Sequence, residues 1–298
     1  MEFSHLMLGT AQFGVNYGVA NRTGKPSQQQ VNDIISYAWG NGVNCLDTAS
    51  SYGESEMVIG KALEDLGLLG QMQIVSKVAH FADDLSLAAV KEHIHKSVFG
   101  SLERLKVDYL DVCLFHHEKY FFAIDLLHEL KEQGVVKSVG LSFTGTDFDD
   151  AAKVLSSPLI DVVQVPGSLL DRRFENAGFA LAREYAKPVF VRSVYLQGLL
   201  VQETAPPHLA ALQPSIDTIG KIARRHHLSR EALCARYMLG LGGVTSLLMG
   251  VETLEQLKEN VAIVRQGALP LEIHRQITYE VPLLSAQLLC PHMWPKQG

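Results

Sequence analysis

Val43-Asn-Cys-Leu-Asp-Thr-Ala-Ser-Ser-Tyr-Gly-Glu-Ser-Glu56 reads as a strand, a turn and the start of a helix. Residues 43–47 are apolar and β-prone, and this strand ends on an acid, Asp47. Small residues fill the turn up to Tyr52. Over residues 54–67 the apolar positions Met57, Ile59, Ala62, Leu63 and Leu66 have helical spacing. An acid at a strand end and a tyrosine in the next turn can face one pocket. Packing alone would also explain both residues, so the rest of the chain decides between the two readings.

Strand and helix patterns alternate on both sides of this stretch. Strands are predicted over residues 5–10, 43–47, 73–78, 109–115, 136–142, 161–165, 188–194 and 246–250. Helices are predicted over 27–40, 54–67, 85–105, 122–133, 147–155, 175–185, 215–239 and 254–265, the seventh interrupted near 228–230. Ser27 suits the N-cap of the first helix. A polar, Gly-rich loop covers 11–26, and 195–213 is irregular around Pro206-Pro207. The strands read as short apolar runs rather than alternating ones, as they do when both faces are buried. Eight such units predict a single (β/α)8 TIM barrel in the α/β class over residues 1–298. Residues 268–298, with Cys290-Pro-His-Met-Trp-Pro295, are expected to pack back on it. A doubly wound sheet is the alternative. It lacks its G-x-G-x-x-G after the first strand, and Gly240-Leu-Gly242 ends a helical pattern instead.

The composition narrows the function. Of the 298 residues 47% are hydrophobic, enough for a large core, and the net charge is −6 with no basic cluster, which argues against a nucleic-acid partner. Cys45, Cys113, Cys234 and Cys290 are far apart and form no C-x-x-C pair, so no disulfide is expected. With no signal peptide and no run of membrane-spanning length, a soluble cytoplasmic protein without a membrane partner is expected. His116-His117 lacks further ligands at fixed spacing, so no metal is expected. His93 with His95 and His226 with His227 read as helix surface.

In a barrel the active site lies at the C-terminal strand ends. There the sequence places Asp47, Lys77, His116, Ser142, Gln164, Arg192 with Ser193, and Gly250. A phenol normally titrates near 10. A nearby ammonium favours the phenolate, an aspartate would hold that ammonium, and a histidine can orient a carbonyl. Together these groups suit general acid catalysis during delivery of a hydride, which only a cofactor can supply.

Here the chain resembles the aldo-keto reductases. The resemblance lies in Leu8-Gly-Thr-Ala-Gln-Phe-Gly14, Asp47-Thr-Ala-Ser-Ser-Tyr-Gly-Glu-Ser-Glu56, Val75-Ser-Lys77, Asp108-Tyr-Leu-Asp-Val-Cys-Leu-Phe-His116 and the segment from Gly250 to Asn260. It implies carbonyl reduction of a small molecule with NADP(H) or NAD(H). It makes Tyr52 the proton donor, Asp47 and Lys77 its tuning pair, and His116 rather than His117 the substrate-orienting residue. It also assigns cofactor contacts to Gly9, Thr10, Asp47, Ser142, Gln164, Arg192, Ser193, Gly250, Glu252, Thr253, Gln256, Glu259 and Asn260. The chain departs from the pattern at Phe143, where an asparagine is usual, at Gly167, where an aromatic is common, and at Arg192, where a tyrosine usually stacks on the nicotinamide. Arg192 and an open Gly167 position suggest a polar, anionic or sugar-like substrate. Gln256 stands where an arginine is frequent, and Glu252 would repel a 2′-phosphate, which predicts a weakened NADP preference. Other functions compatible with the same barrel are a cofactor-binding regulatory subunit and a non-redox isomerase or lyase.

Overall fold

The computed structural model describes residues 2–19, 21–146 and 148–295. Eight parallel strands close a barrel in sequence order: β1 (Leu6–Gly9), β2 (Cys45–Asp47), β3 (Gln73–Lys77), β4 (Leu110–Phe115), β5 (Val136–Ser142), β6 (Val162–Pro166), β7 (Val189–Arg192) and β8 (Ser246–Gly250). β1 completes the ring against β8, with Leu6 opposite Leu247 and Gly9 opposite Gly250. This is the (β/α)8 barrel predicted by the alternation of strands and helices.

Two apolar layers explain why the strands do not alternate between apolar and polar residues. Met7, Cys45, Val75, Val112, Leu114, Val162 and Phe190 pack together inside the barrel. Their neighbours Leu8, Leu46, Ile74, Cys113, Val163 and Val191 pack into the layer between sheet and helices. Side chains alternate with period two. The residue two places beyond an interior one therefore also points inward: Asp47 after Cys45, Lys77 after Val75, His116 after Leu114, Gln164 after Val162, Arg192 after Phe190. The polar strand ends converge above a dry apolar plug. At the other mouth Phe3 lies edge-on to Phe190, ring centroids 4.8 Å apart.

The helices differ from expectation where tertiary packing intervenes. Gln28–Gly40 starts at Ser27, whose side chain and that of Gln30 form a capping box. Residues 11–26, expected as loop, contain the short helix Ala11–Gly14. The helix expected over 175–185 is split into Arg173–Ala177 and Phe179–Glu184. At the break a Cβ on Gly178 would lie 2.1 Å from the Phe174 ring. The fifth helix is Ala151–Ser156; residue 147, its expected start, lies outside the described residues. A 3-10 turn, Glu118–Ala123, precedes the helix Ile124–Glu132. The expected interruption separates Gln213–Arg225 from Arg230–Leu239. His93 is more than helix surface, because its Nε2 lies 3.0 Å from the Ala79 carbonyl oxygen.

Beyond the last barrel helix, Leu254–Arg265, the chain continues as Leu271–Glu280 and Ala286–Leu289. Arg172 Nη2 donates to the Val281 carbonyl at 2.7 Å, and the buried Cys290 thiol donates to that of Gly145 at 3.1 Å. Residues 296–298 of this tail lie outside the described residues. Among the described residues no helix is long and apolar enough to cross a membrane.

Candidate active site

Asp47 and Lys77 form a buried ion pair at the rim. Lys77 Nζ donates to Asp47 Oδ1 and Oδ2 at 2.7 and 2.8 Å, and to the Thr48 carbonyl at 2.9 Å. Gln164 Nε2 adds a bond to Asp47 Oδ1 at 2.8 Å, and Ser142 Oγ donates to Gln164 Oε1 at 3.3 Å. The two charged side chains are only 1% and 3% exposed. Burial drives the ammonium towards neutrality, but Asp47 and Tyr52 outweigh it and raise the Lys77 pKa. Lys77 therefore stays charged at neutral pH.

Tyr52 is held above this pair by local packing. Thr10 Oγ1 donates to the Asp47 carbonyl at 2.7 Å, and Ser55 Oγ donates to the Thr10 carbonyl at 2.9 Å, tying β1, β2 and the helix start together. Thr10, expected as a cofactor contact, thus commits its hydroxyl to the scaffold. Gly14 lets the loop after β1 approach the Tyr52 turn, since a Cβ there would lie 1.8 Å from the Tyr52 carbonyl oxygen. Glu56, the last residue of the opening stretch, is structural. Its buried carboxylate accepts from Ser76 Oγ at 2.6 Å and Arg104 Nε at 2.8 Å.

Lys77 Nζ lies 5.1 Å from the centre of the Tyr52 ring. Its charge lowers the Tyr52 pKa in the direction expected from sequence, yet burial outweighs it and the phenol sits above its ordinary value. His116 lies beyond, its ring centroid 6.1 Å from that of Tyr52. Burial, Lys77, His80 and Arg192 push its pKa down to about 2, so its imidazole is neutral. His117 turns away and accepts from the Lys119 backbone N–H at 3.0 Å.

Asp47 and Tyr52 also border a cleft of about 1190 Å³, open to solvent, that runs over β1 and β8. Gly9, Thr10, Gln164, Arg192, Ser193, Gly250, Glu252, Gln256, Glu259 and Asn260 line it. Of the expected cofactor residues, Ser142 and Thr253 do not. Ser142 sits behind Gln164, and Thr253 caps the helix Leu254–Arg265. Gln12, Tyr17, Tyr195, Gln197 and Glu231 line the cleft too and were not picked out from sequence. Tyr195 Oη donates to Asn260 Oδ1 at 3.0 Å. Ser193, Leu196 and Gln197 have positive φ, a cluster of backbone strain of the kind found at binding sites.

The profile of the Aldo/keto reductase family matches residues 5–278. The chain belongs to this family. It is an NAD(P)-dependent oxidoreductase by that membership. It is 29% identical over 300 residues to the NADH-specific methylglyoxal reductase of Escherichia coli, spanning 88% of this chain and 90% of that protein. It is 28% identical to D-arabinose 1-dehydrogenase of Saccharomyces cerevisiae, over 89% of this chain and 84% of the other. The holo form of aldo-keto reductase AKR11C1 from Bacillus halodurans superposes with a TM-score of 0.77 at 25% identity, covering 95% of this chain and 94% of that one.

The departures from the family pattern have structural causes. Phe143 follows the inward Ser142, so it points outward and packs with Phe148 and Phe174. Its side chain cannot take an asparagine's place in the cleft. Gly167 is not an open position, because a Cβ there would lie 2.8 Å from Met238 and from Val191. This removes Gly167 as a hint about substrate. Arg192 lines the cleft but is also a strut, donating to the carbonyls of Phe143 and Thr144 at 2.8 and 3.3 Å.

Removing one partner of a buried ion pair costs about 3–5 kcal/mol, because the other charge is left uncompensated. Urea unfolding of Lys77→Met should show a loss of that size, and adding Asp47→Asn should recover part of it. A single variant as stable as the parent would refute the buried-pair description.

Proposed function

We propose that the chain, acting as one barrel domain over residues 1–298, reduces the carbonyl of a small aldehyde or ketone, with Tyr52 as general acid. The observation that carries this is the buried Asp47–Lys77 ion pair beneath the Tyr52 ring, with the His116 imidazole on the far side. A nicotinamide dinucleotide, when bound, supplies the hydride. The donor set fits one. Gln164 keeps one amide proton and one lone pair for a carboxamide. Glu252 can accept from ribose hydroxyls.

The protein's own groups then handle the proton. Tyr52 donates to the carbonyl oxygen as negative charge develops there. The Lys77 ammonium stabilises the phenolate left behind, and Asp47 keeps that ammonium in place. A neutral His116 can donate one hydrogen bond to the same oxygen, which aims the carbonyl at the phenol.

Cofactor choice follows from charge. Glu231, Glu252 and Glu259 line the cleft, and among its described lining residues Arg192 is the one cation. Gln256 is engaged with Glu252, donating from Nε2 at 2.8 Å. Glu255, by contrast, is an exposed acid in the first turn of its helix. A 2′-phosphate near Glu252 would meet a carboxylate where phosphate sites carry Arg or Lys.

Tyr52→Phe should lower kcat by about two to four powers of ten while the dinucleotide Kd, read by fluorescence, stays unchanged. Normal turnover would remove Tyr52 from the mechanism. Steady-state kcat/KM with NADH and NADPH should be comparable. A preference for NADPH of about a thousandfold, roughly 4 kcal/mol, would mean that the phosphate is held elsewhere.

A further inference from the structure

Two side chains outside the Asp47–Tyr52–Lys77–His116 set touch the His116 ring from different directions. Ser51 Oγ lies 3.0 Å from His116 Nε2. The His80 ring stacks on the His116 face, with centroids 4.6 Å apart and planes at 23°. His80 stands on a braced loop. The backbone N–H of Ala79 donates to Ser97 Oγ at 2.8 Å, and the Ala79 carbonyl oxygen lies 3.0 Å from His93 Nε2. Both contacts therefore come from the elements that carry the reaction's other groups. Ser51 precedes Tyr52 in its turn, and His80 follows Lys77 by three residues.

An imidazole at a strand end has a soft terminal torsion, and its two nitrogens are not equivalent. A ring that turns over, or changes tautomer, no longer aims an N–H at the carbonyl. A stacked neighbour limits the ring plane. A hydroxyl at one nitrogen selects the rotation, and because it can donate or accept it serves either tautomer. The geometry points to Ser51 and His80 as positioning residues that together hold the His116 imidazole in one orientation, with Ser51 occupying the Nε2 position that the substrate oxygen takes over. Ser51 is exposed, so water can satisfy its hydroxyl once the substrate displaces it.

This inference rests on reading His116 as the carbonyl-orienting residue, and its test has one arm that does not need turnover. In long-range proton–nitrogen spectra of the histidine-labelled protein, with His116 assigned by its loss in His116→Gln, wild type should show one sharp pair of His116 nitrogen signals. Ser51→Ala and His80→Ala should shift or broaden the His116 nitrogen signals as the ring loses its fixed orientation, and His80→Phe, which keeps a stacked ring, should leave them as in wild type. In the kinetic arm, with methylglyoxal and benzaldehyde as probes, His80→Ala should lose about ten- to a hundredfold in kcat, as misplaced catalytic groups do, with KM changed less, while Ser51→Ala, whose hydroxyl leaves the ring when substrate binds, should lose in kcat/KM and keep kcat; dinucleotide Kd should be unchanged in both. His80→Phe should restore most of the loss. Unchanged nitrogen shifts in both alanine variants, or a His80→Phe variant as impaired as His80→Ala, would overturn the proposal. A wild-type protein inactive on every carbonyl tested, yet with His116 shifts that respond as described, would overturn the reductase reading and uphold the positioning of the ring.

Discussion

Everything at the rim depends on burying Asp47 against Lys77. Taking two such ions out of water costs several kcal/mol per ion, and the pair survives only if the remaining donors and acceptors are met. Here Lys77 spends its donors on both Asp47 oxygens and the Thr48 carbonyl, while Gln164 supplies a further N–H to Asp47. Those partners come from β2, β3 and β6, so the barrel must be closed before the pair is satisfied. The same closure carries Tyr52 and His116 over the ammonium.

The loop after β5 is the second point where elements meet. Glu118 accepts from the Thr144 backbone N–H and hydroxyl at 2.8 and 2.7 Å. Arg192 reaches the carbonyls of Phe143 and Thr144 from β7, and Cys290 reaches that of Gly145 from the tail. Arg173 adds a bond to the Thr146 carbonyl at 3.3 Å. This loop adjoins Ser142 and Gln164, so its bracing also steadies the floor of the cleft.

The barrel and its rim were legible because apolar strand bodies end in polar residues, and that contrast survives in a linear sequence. Asp47, Lys77, His116 and Gln164 could be named from strand ends alone. The alternation that aims them inward could not be read, because both strand faces are apolar. What the sequence hid is long-range packing. Nothing local says that Gly178 must yield to the Phe174 ring, that Gly167 is hemmed in by Met238 and Val191, or that Phe143 turns into the core. His80 and Ser51 escaped for the same reason, since each matters only through the ring it meets across the rim. The sign of the Tyr52 shift was also out of reach: the lysine's pull was foreseeable, but the burial that exceeds it is a property of the folded site.

Burial holds the Tyr52 phenol above its ordinary pKa, over a lysine whose own pKa is raised. The most direct test is an ultraviolet titration of wild type against Tyr52→Phe, which isolates the phenolate absorbance of this one tyrosine. The phenolate should appear only above the ordinary tyrosine value of about 10. A phenolate already formed near neutral pH would contradict it, because the lysine would then outweigh burial and Tyr52 would have no proton to give.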